Sequence, residues 1–130
     1  MKRITYALLG AMTLAGGSLA AHHGIGAYQQ DVTVSIDGTI LDMLFEDPHV
    51  MLQISASDGF DYTVTWLSAS ELAPTGVEAS TLRPRQYVVV TGSPSVNPRA
   101  HRMSLVQEIA RPEDGWRWIA GTSADGGTAN

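Results

Sequence analysis

The chain has no cysteine. That excludes disulfides, thiolate zinc sites, iron–sulfur clusters and a cysteine nucleophile, and with them a lipid anchor attached through an N-terminal cysteine. Cations are scarce: 8 Lys and Arg face 13 Asp and Glu, a formal net charge of −5. So acidic a chain lacks the clustered positive charge that DNA or RNA binding requires. No apolar run reaches the ~20 residues of a membrane-spanning helix. There is no G-x-S-x-G elbow and no phosphate loop. Glu46 and Asp47 are adjacent, so on a strand they face opposite sides and make a poor acid–base pair. What is present is 130 residues, 44% hydrophobic and 16% charged. That is enough apolar material for one small core, and too little charge for a disordered chain.

The first stretch reads as an export signal. Lys2 and Arg3 precede the apolar run Ile4 to Leu14, which is followed by small residues up to Ala21. A basic head, a short apolar core and a small-residue cleavage site describe a secretory signal peptide, and the run is short for a membrane anchor. Cleavage after Ala20 gives a chain starting at Ala21; cleavage after Ala21 gives a start at His22. The expected organisation is therefore a signal peptide over residues 1–21, one domain over 22–120 and a disordered Gly/Ser/Thr/Ala tail over 121–130. The expected location is the periplasm.

The domain reads as five strands and one short helix. Val32, Val34 and Ile36 alternate with polar residues at strand period. The apolar phase then slips past Gly38 and Ile40 to Met43 and Phe45, which predicts one long strand, bulged or bent. Val50, Leu52 and Ile54 predict a second strand, Asp58-Gly59 a tight hairpin turn, and Phe60, Tyr62, Val64 and Trp66 one face of a third. Ser68 and Glu71 stand at capping-box spacing before a short helix that Pro74 and Gly76 stop. Gln86 to Thr91 predicts the fourth strand, with Gly92-Ser93-Pro94 breaking it. His101 to Ile109 predicts the fifth, with Met103, Leu105 and Ile109 in one phase. Trp116 and Trp118 are candidates to cap a barrel end, while Tyr62, Trp66 and Tyr87 read as core or barrel wall. Three strands, a helix and two strands in about 90 residues is the element order of a small five-stranded OB-like barrel in the all-β class. A small sandwich or open barrel is the alternative.

The histidines carry the chemistry. His22 and His23 stand at the expected mature N-terminus, where the free amine, amide nitrogens and imidazoles can close chelate rings on one metal. A start at Ala21 makes His23 the third residue, which gives a square-planar nitrogen set suited to Cu(II) or Ni(II). A start at His22 gives an amine–imidazole clamp that His49 could complete as a copper brace. The expected metal ligands are thus His22, His23 and His49, with copper preferred and zinc the rival. Asp47 is a candidate to orient an imidazole. His101 and Met103, two apart on a strand, form a histidine–thioether pair of the kind that suits Cu(I). The plain alternatives are a solvated chain end, a turn shaped by Pro48, a surface His101, and methionines that fill core gaps.

The run Ala21-His22-His23-Gly24, then Gly38-Thr39-Ile40, then Glu46-Asp47-Pro48-His49, then Leu82-Arg83-Pro84 before a Val-rich strand and Gly92, resembles a family of small exported bacterial proteins of unknown function. Members show Ala-His-His-Ser near the cut site, Asn-Pro-His after the first strand and Lys-Pro-Gly-Asp before the fourth. Gly24, Asp47 and Arg85-Gln86 depart from that pattern. The resemblance implies a compact periplasmic OB-like barrel and carries no activity with it.

Two functional classes follow. One is a periplasmic metal-binding protein that captures or delivers copper. The other is a metal-free OB-type binding or interaction module of the cell envelope, with an envelope protein as a partner. Enzymatic turnover is not expected: a copper oxygenase would need His22 as its first residue and a flat substrate surface, of which the sequence gives no sign.

Overall fold

A computed structural model describes residues 24–122. Its strands are β1 (Val34–Leu44), β2 (Met51–Ala56), β3 (Asp61–Thr65), β4 (Tyr87–Pro94), β5 (Arg102–Arg111) and β6 (Trp116–Ile119), with one helix, α1 (Ala69–Leu72), between β3 and β4. Hydrogen bonding runs β3-β2-β1-β4-β5, and a short parallel pairing of β5 with β3, through Thr63–Arg102 and Val64–Met103, closes the ring. The result is the five-stranded OB-like barrel that the sequence predicts, plus one strand more. That addition, β6, comes from the tryptophan segment and pairs with the second half of β5.

β1 spans 11 residues and serves two neighbours. Its first half pairs with β4 and its second with β2, and Gly38 pairs with both, opposite Val88 and Ala56. A strand shared this way must bend sharply for the barrel to close. The bend needs a residue without a side chain: a Cβ on Gly38 would stand 2.6 Å from the Ala56 Cα. Just beyond it the β1–β2 register shifts between Ile40 and Asp42. Leu41 is the extra residue of that bulge and points to solvent. This is the origin of the phase slip legible in the sequence.

Inside the barrel, Ile36 and Ile40 meet Leu52, Ile54, Val64, Val88, Val90 and Ile109. Val50 precedes β2 but is fully buried and exchanges backbone hydrogen bonds with Trp66 and Leu67. One barrel end is plugged by Leu72 of α1, with Val77 and Leu82 from the loop that follows. The predicted capping box is complete: Ser68 Oγ accepts from the Glu71 amide at 3.1 Å, and the Glu71 carboxylate accepts from the Ser68 amide at 3.0 Å. Trp118 closes the same region, edge-on to Trp66 with ring centroids 5.0 Å apart. Trp116 is partly buried against the same core, with the Arg111 guanidinium 5.2 Å from its ring centroid.

Three local expectations are corrected. β4 runs through Gly92 and Ser93 to Pro94 rather than stopping at Thr91. Gly92 continues the strand because only a residue without a Cβ fits there: one would meet the Ser104 carbonyl oxygen at 2.7 Å. Pro94 is tolerated because it is the last residue, where no ladder donor is required. In β5, Leu105 takes a positive φ of 48° and turns outward, and Val106 takes its inward place. Tyr87 faces outward too, because the β4 alternation reserves the interior for Val88 and Val90; its hydroxyl donates to Asp37.

Candidate functional site

The two described histidines lie at opposite ends of the barrel. His49 follows the β1–β2 turn beside α1 and is exposed, as its strand phase predicts. Asp47 does not orient its ring. That carboxylate accepts from the Ser70 amide at 2.9 Å and from the Ser70 hydroxyl at 2.5 Å, tying the turn to the start of α1. These bonds hold Asp47 below its usual range, and the Ser68 amide and hydroxyl do the same for Glu71, with a smaller contribution from His49 nearby. A carboxylate whose folded pKa lies below its unfolded value stabilises the fold fully above about pH 5 and loses that contribution as pH falls through the folded pKa. Asp47→Asn should therefore melt below wild type at pH 7, with the gap closing toward pH 3. Thermal melts across that range check it; a gap independent of pH would assign the effect to packing instead.

Around His49 the described residues offer nothing further for a metal: no group of three or more His, Asp or Glu side chains among them could hold one. His22 and His23 lie outside the described residues. The chain that follows them is anchored, however. Ala27 accepts from the Val96 amide at 2.9 Å, the Gln29 amide donates to Pro94 at 2.9 Å, and Tyr28 bridges to Ser95. All of these contacts are with the end of β4 and the loop beyond it. Gly24 therefore enters at the barrel end opposite His49, with the whole of β1 between them.

That end carries His101. The β4–β5 loop closes in a 3₁₀ turn, Pro98–Ala100, and His101 ends it with φ 45°, one residue before the strand the sequence assigned it to. Its carbonyl accepts from the Thr63 amide at 3.1 Å, which pins the residue to β3. The ring stacks on Phe60, with centroids 4.1 Å apart and planes 13° from parallel, and meets Tyr62 edge-on at 5.3 Å. Tyr62 is itself fixed, its hydroxyl donating to Asp58 at 2.8 Å. Burial and the Asp58 carboxylate push its phenol pKa up.

His101 and Tyr62 stand on a cleft of about 440 Å³ whose apolar wall includes Val34, Ile36, Pro94 and Met103. The sequence reading missed this site. It treated Phe60 and Tyr62 as an ordinary strand face, but the shared parity of Phe60, Tyr62, Val64 and Trp66 runs from the cleft into the core as the barrel curves. The one legible signal was the pair His101 and Met103, which does reach one cavity. Met103 is a wall there, only 1% exposed. His101 Nδ1 is enclosed and has no hydrogen-bond partner among the described residues. A buried polar atom left unpaired costs about 1–3 kcal/mol.

No helix of the described residues is long and apolar enough to cross a membrane. No curated protein matches the chain. Residues 11–104 match the model of a family of unknown function (DUF6152), a range that includes all four histidine positions and stops before the second half of β5 and β6. Since that range takes in well over half of the 130 residues, the chain belongs to the family of unknown function DUF6152.

Proposed function

We propose that this protein is an exported, non-catalytic binding module of the cell envelope that takes its ligand in the His101 cleft. The observation that carries the reading is a largely apolar cavity lined by His101, whose Nδ1 is enclosed without a hydrogen-bond partner among the described residues. Binding sites commonly pair an apolar lining with a few placed polar groups, and OB barrels carry their ligands on the barrel face and neighbouring loops. The ligand class that fits is an apolar ring or short chain bearing one hydrogen-bonding head. The head would meet His101, and the apolar part would lie along Val34, Pro94 and Met103. A fragment library screened by protein NMR tests this. Hits are expected to shift Tyr62, His101 and Met103 together, and Tyr62→Ala should weaken them about tenfold or more. Hits that map to other faces would remove the cleft from consideration.

A second reading is copper capture by His22, His23 and His49, with zinc as the rival metal. Its basis is the sequence, which puts two histidines at the expected mature start. The histidine pair directly precedes Gly24, whose carbonyl accepts from the Ala27 amide at 3.0 Å.

A further inference from the structure

We infer that the ligand of this cleft is an apolar acid, its carboxylate held at the mouth by Arg102 with Asn97 and His101 beside it. The inference rests on the cleft reading above and names the charge of the head.

Hydrogen-bond supply decides the sign. The acceptors on the cleft are largely spent. Asp58 is the one carboxylate among its lining residues, and it accepts from the Phe60 amide at 3.0 Å and from the Tyr62 hydroxyl at 2.8 Å. Ser95 Oγ accepts from the Asn97 amide at 3.2 Å, and Asn97 Oδ1 from the Arg99 amide at 3.1 Å. The donors are left over. Asn97 keeps its side-chain NH₂, and Arg102 keeps its whole guanidinium, since neither donates to any partner among the described residues. His101 adds another, because an imidazole offers at least one N–H in either charge state. Gln29 is the exception: its NH₂ donates to the Ser95 carbonyl at 3.4 Å and its oxygen is kept. A lining with surplus donors calls for a ligand head made of acceptors, and an ionised carboxylate is acceptor-only.

Charge points the same way. The described residues carry six cationic side chains besides histidine, all arginine. Arg111 pairs with Asp114 and Arg117 with Glu108, while Arg83 donates to the Ser80 carbonyl. Of the three that remain, Arg99 and Arg102 stand within two residues of His101. In a chain of net charge −5, unpaired positive charge is thus gathered at one apolar cleft. An anion buried among apolar groups without a partner is costly, so the head belongs at the exposed Arg102 and the tail inside. A guanidinium fork matches the two oxygens of a carboxylate. The volume of about 440 Å³ lies in the lower part of the ~300–1,000 Å³ range of small-molecule sites, which suits a short-chain or single-ring acid rather than a two-chain lipid.

The experiment titrates the protein at neutral pH with octanoate, octanamide and octylamine, following the Tyr62 and Met103 signals by NMR, and repeats the series on Arg102→Gln. The three probes share one chain and differ in the charge of the head. Glutamine keeps a hydrogen-bonding end and removes the charge. Octanoate is expected to bind the wild type about tenfold tighter than octanamide, the margin of one charge-assisted pair at a partly wet mouth. Octylamine should bind weakest. The margin should shrink with added salt, which screens exposed charges, and should fall below about twofold in Arg102→Gln. Octanoate and octanamide that shift the cleft signals with equal affinity would overturn the inference and leave the cleft reading standing. Tightest binding by octylamine would also overturn it, making Asp58 the charge that counts. A preference for octanoate that survives Arg102→Gln would overturn the assignment of the head to Arg102. The wild-type comparison stands even if that variant does not fold. Probes that leave Tyr62 and Met103 unmoved would overturn the cleft reading itself, and this inference with it.

Discussion

Replacing Gly38 with alanine should lower the melting temperature by roughly 12 °C or more. An added Cβ meets backbone rather than a side chain that could swing aside: Ala56 Cα at 2.6 Å and the Ser55 carbonyl carbon at 2.8 Å. Overpacking against a yielding neighbour costs typically about 1–3 kcal/mol and more where nothing can move. A loss of about 3 kcal/mol in a domain of this size corresponds to that shift, at roughly 4–8 °C per kcal/mol. The clash lies where β1 is bonded to β2 and β4 at once, so relieving it pulls on two ladders. Circular dichroism melts of the two proteins measure it. A shift of only a degree or two would mean that the β1–β2 crossing opens easily and that the barrel does not hinge on it.

Trp118→Ala should cost about 3–5 kcal/mol, the range for truncating a buried large aromatic. Trp118 is 5% exposed, packs edge-on against Trp66, and donates from Nε1 to Thr75 Oγ1 at 3.1 Å. Thr75 Oγ1 in turn donates to the Leu72 carbonyl at 2.7 Å, at the end of α1. One side chain thereby ties β6 to the plug of the barrel. Trp118→Phe keeps most of the packing and loses the hydrogen bond, worth about 1 kcal/mol, so its urea midpoint should fall between those of wild type and the alanine variant. The comparison also asks whether β6, which lies beyond the span of the family match, is part of the folding unit. Equal, small losses in both variants would make β6 an appendage.

The functional readings separate along the barrel axis. The organic ligand uses the cleft end, whereas copper held with His49 would use the end plugged by α1. Copper that perturbs Phe60 and Tyr62 would therefore link the metal and the cleft, and fragments should then compete with it. Copper that leaves those rings untouched would separate them.

Local chemistry determined much of this protein without help from the fold. The capping box of Ser68 and Glu71, the Asp58-Gly59 turn and the inward rows Leu52/Ile54 and Val88/Val90 each depend on neighbours one to four residues away. The long bent β1 was legible too, because a bulge must shift the apolar phase, and the shift is visible between Ile40 and Met43. Tertiary structure decided the rest, where partners lie far apart in sequence. Gly92 reads as a strand breaker until the Ser104 carbonyl is found where its side chain would be. Leu105 reads as core until a positive φ turns it out. The cleft was hidden for the same reason: Phe60 and His101 are 41 positions apart, and only the parallel closure of β3 on β5 stacks them. Asp47 and His49 are neighbours in sequence, yet Ser70, 23 positions on, claims the carboxylate. Sequence spacing says which residues can share a face of one strand; it does not say which ends of a closed barrel their neighbours occupy. That separation, set by β1, divides His49 from the first described residues, which are bonded instead to the loop at the His101 end.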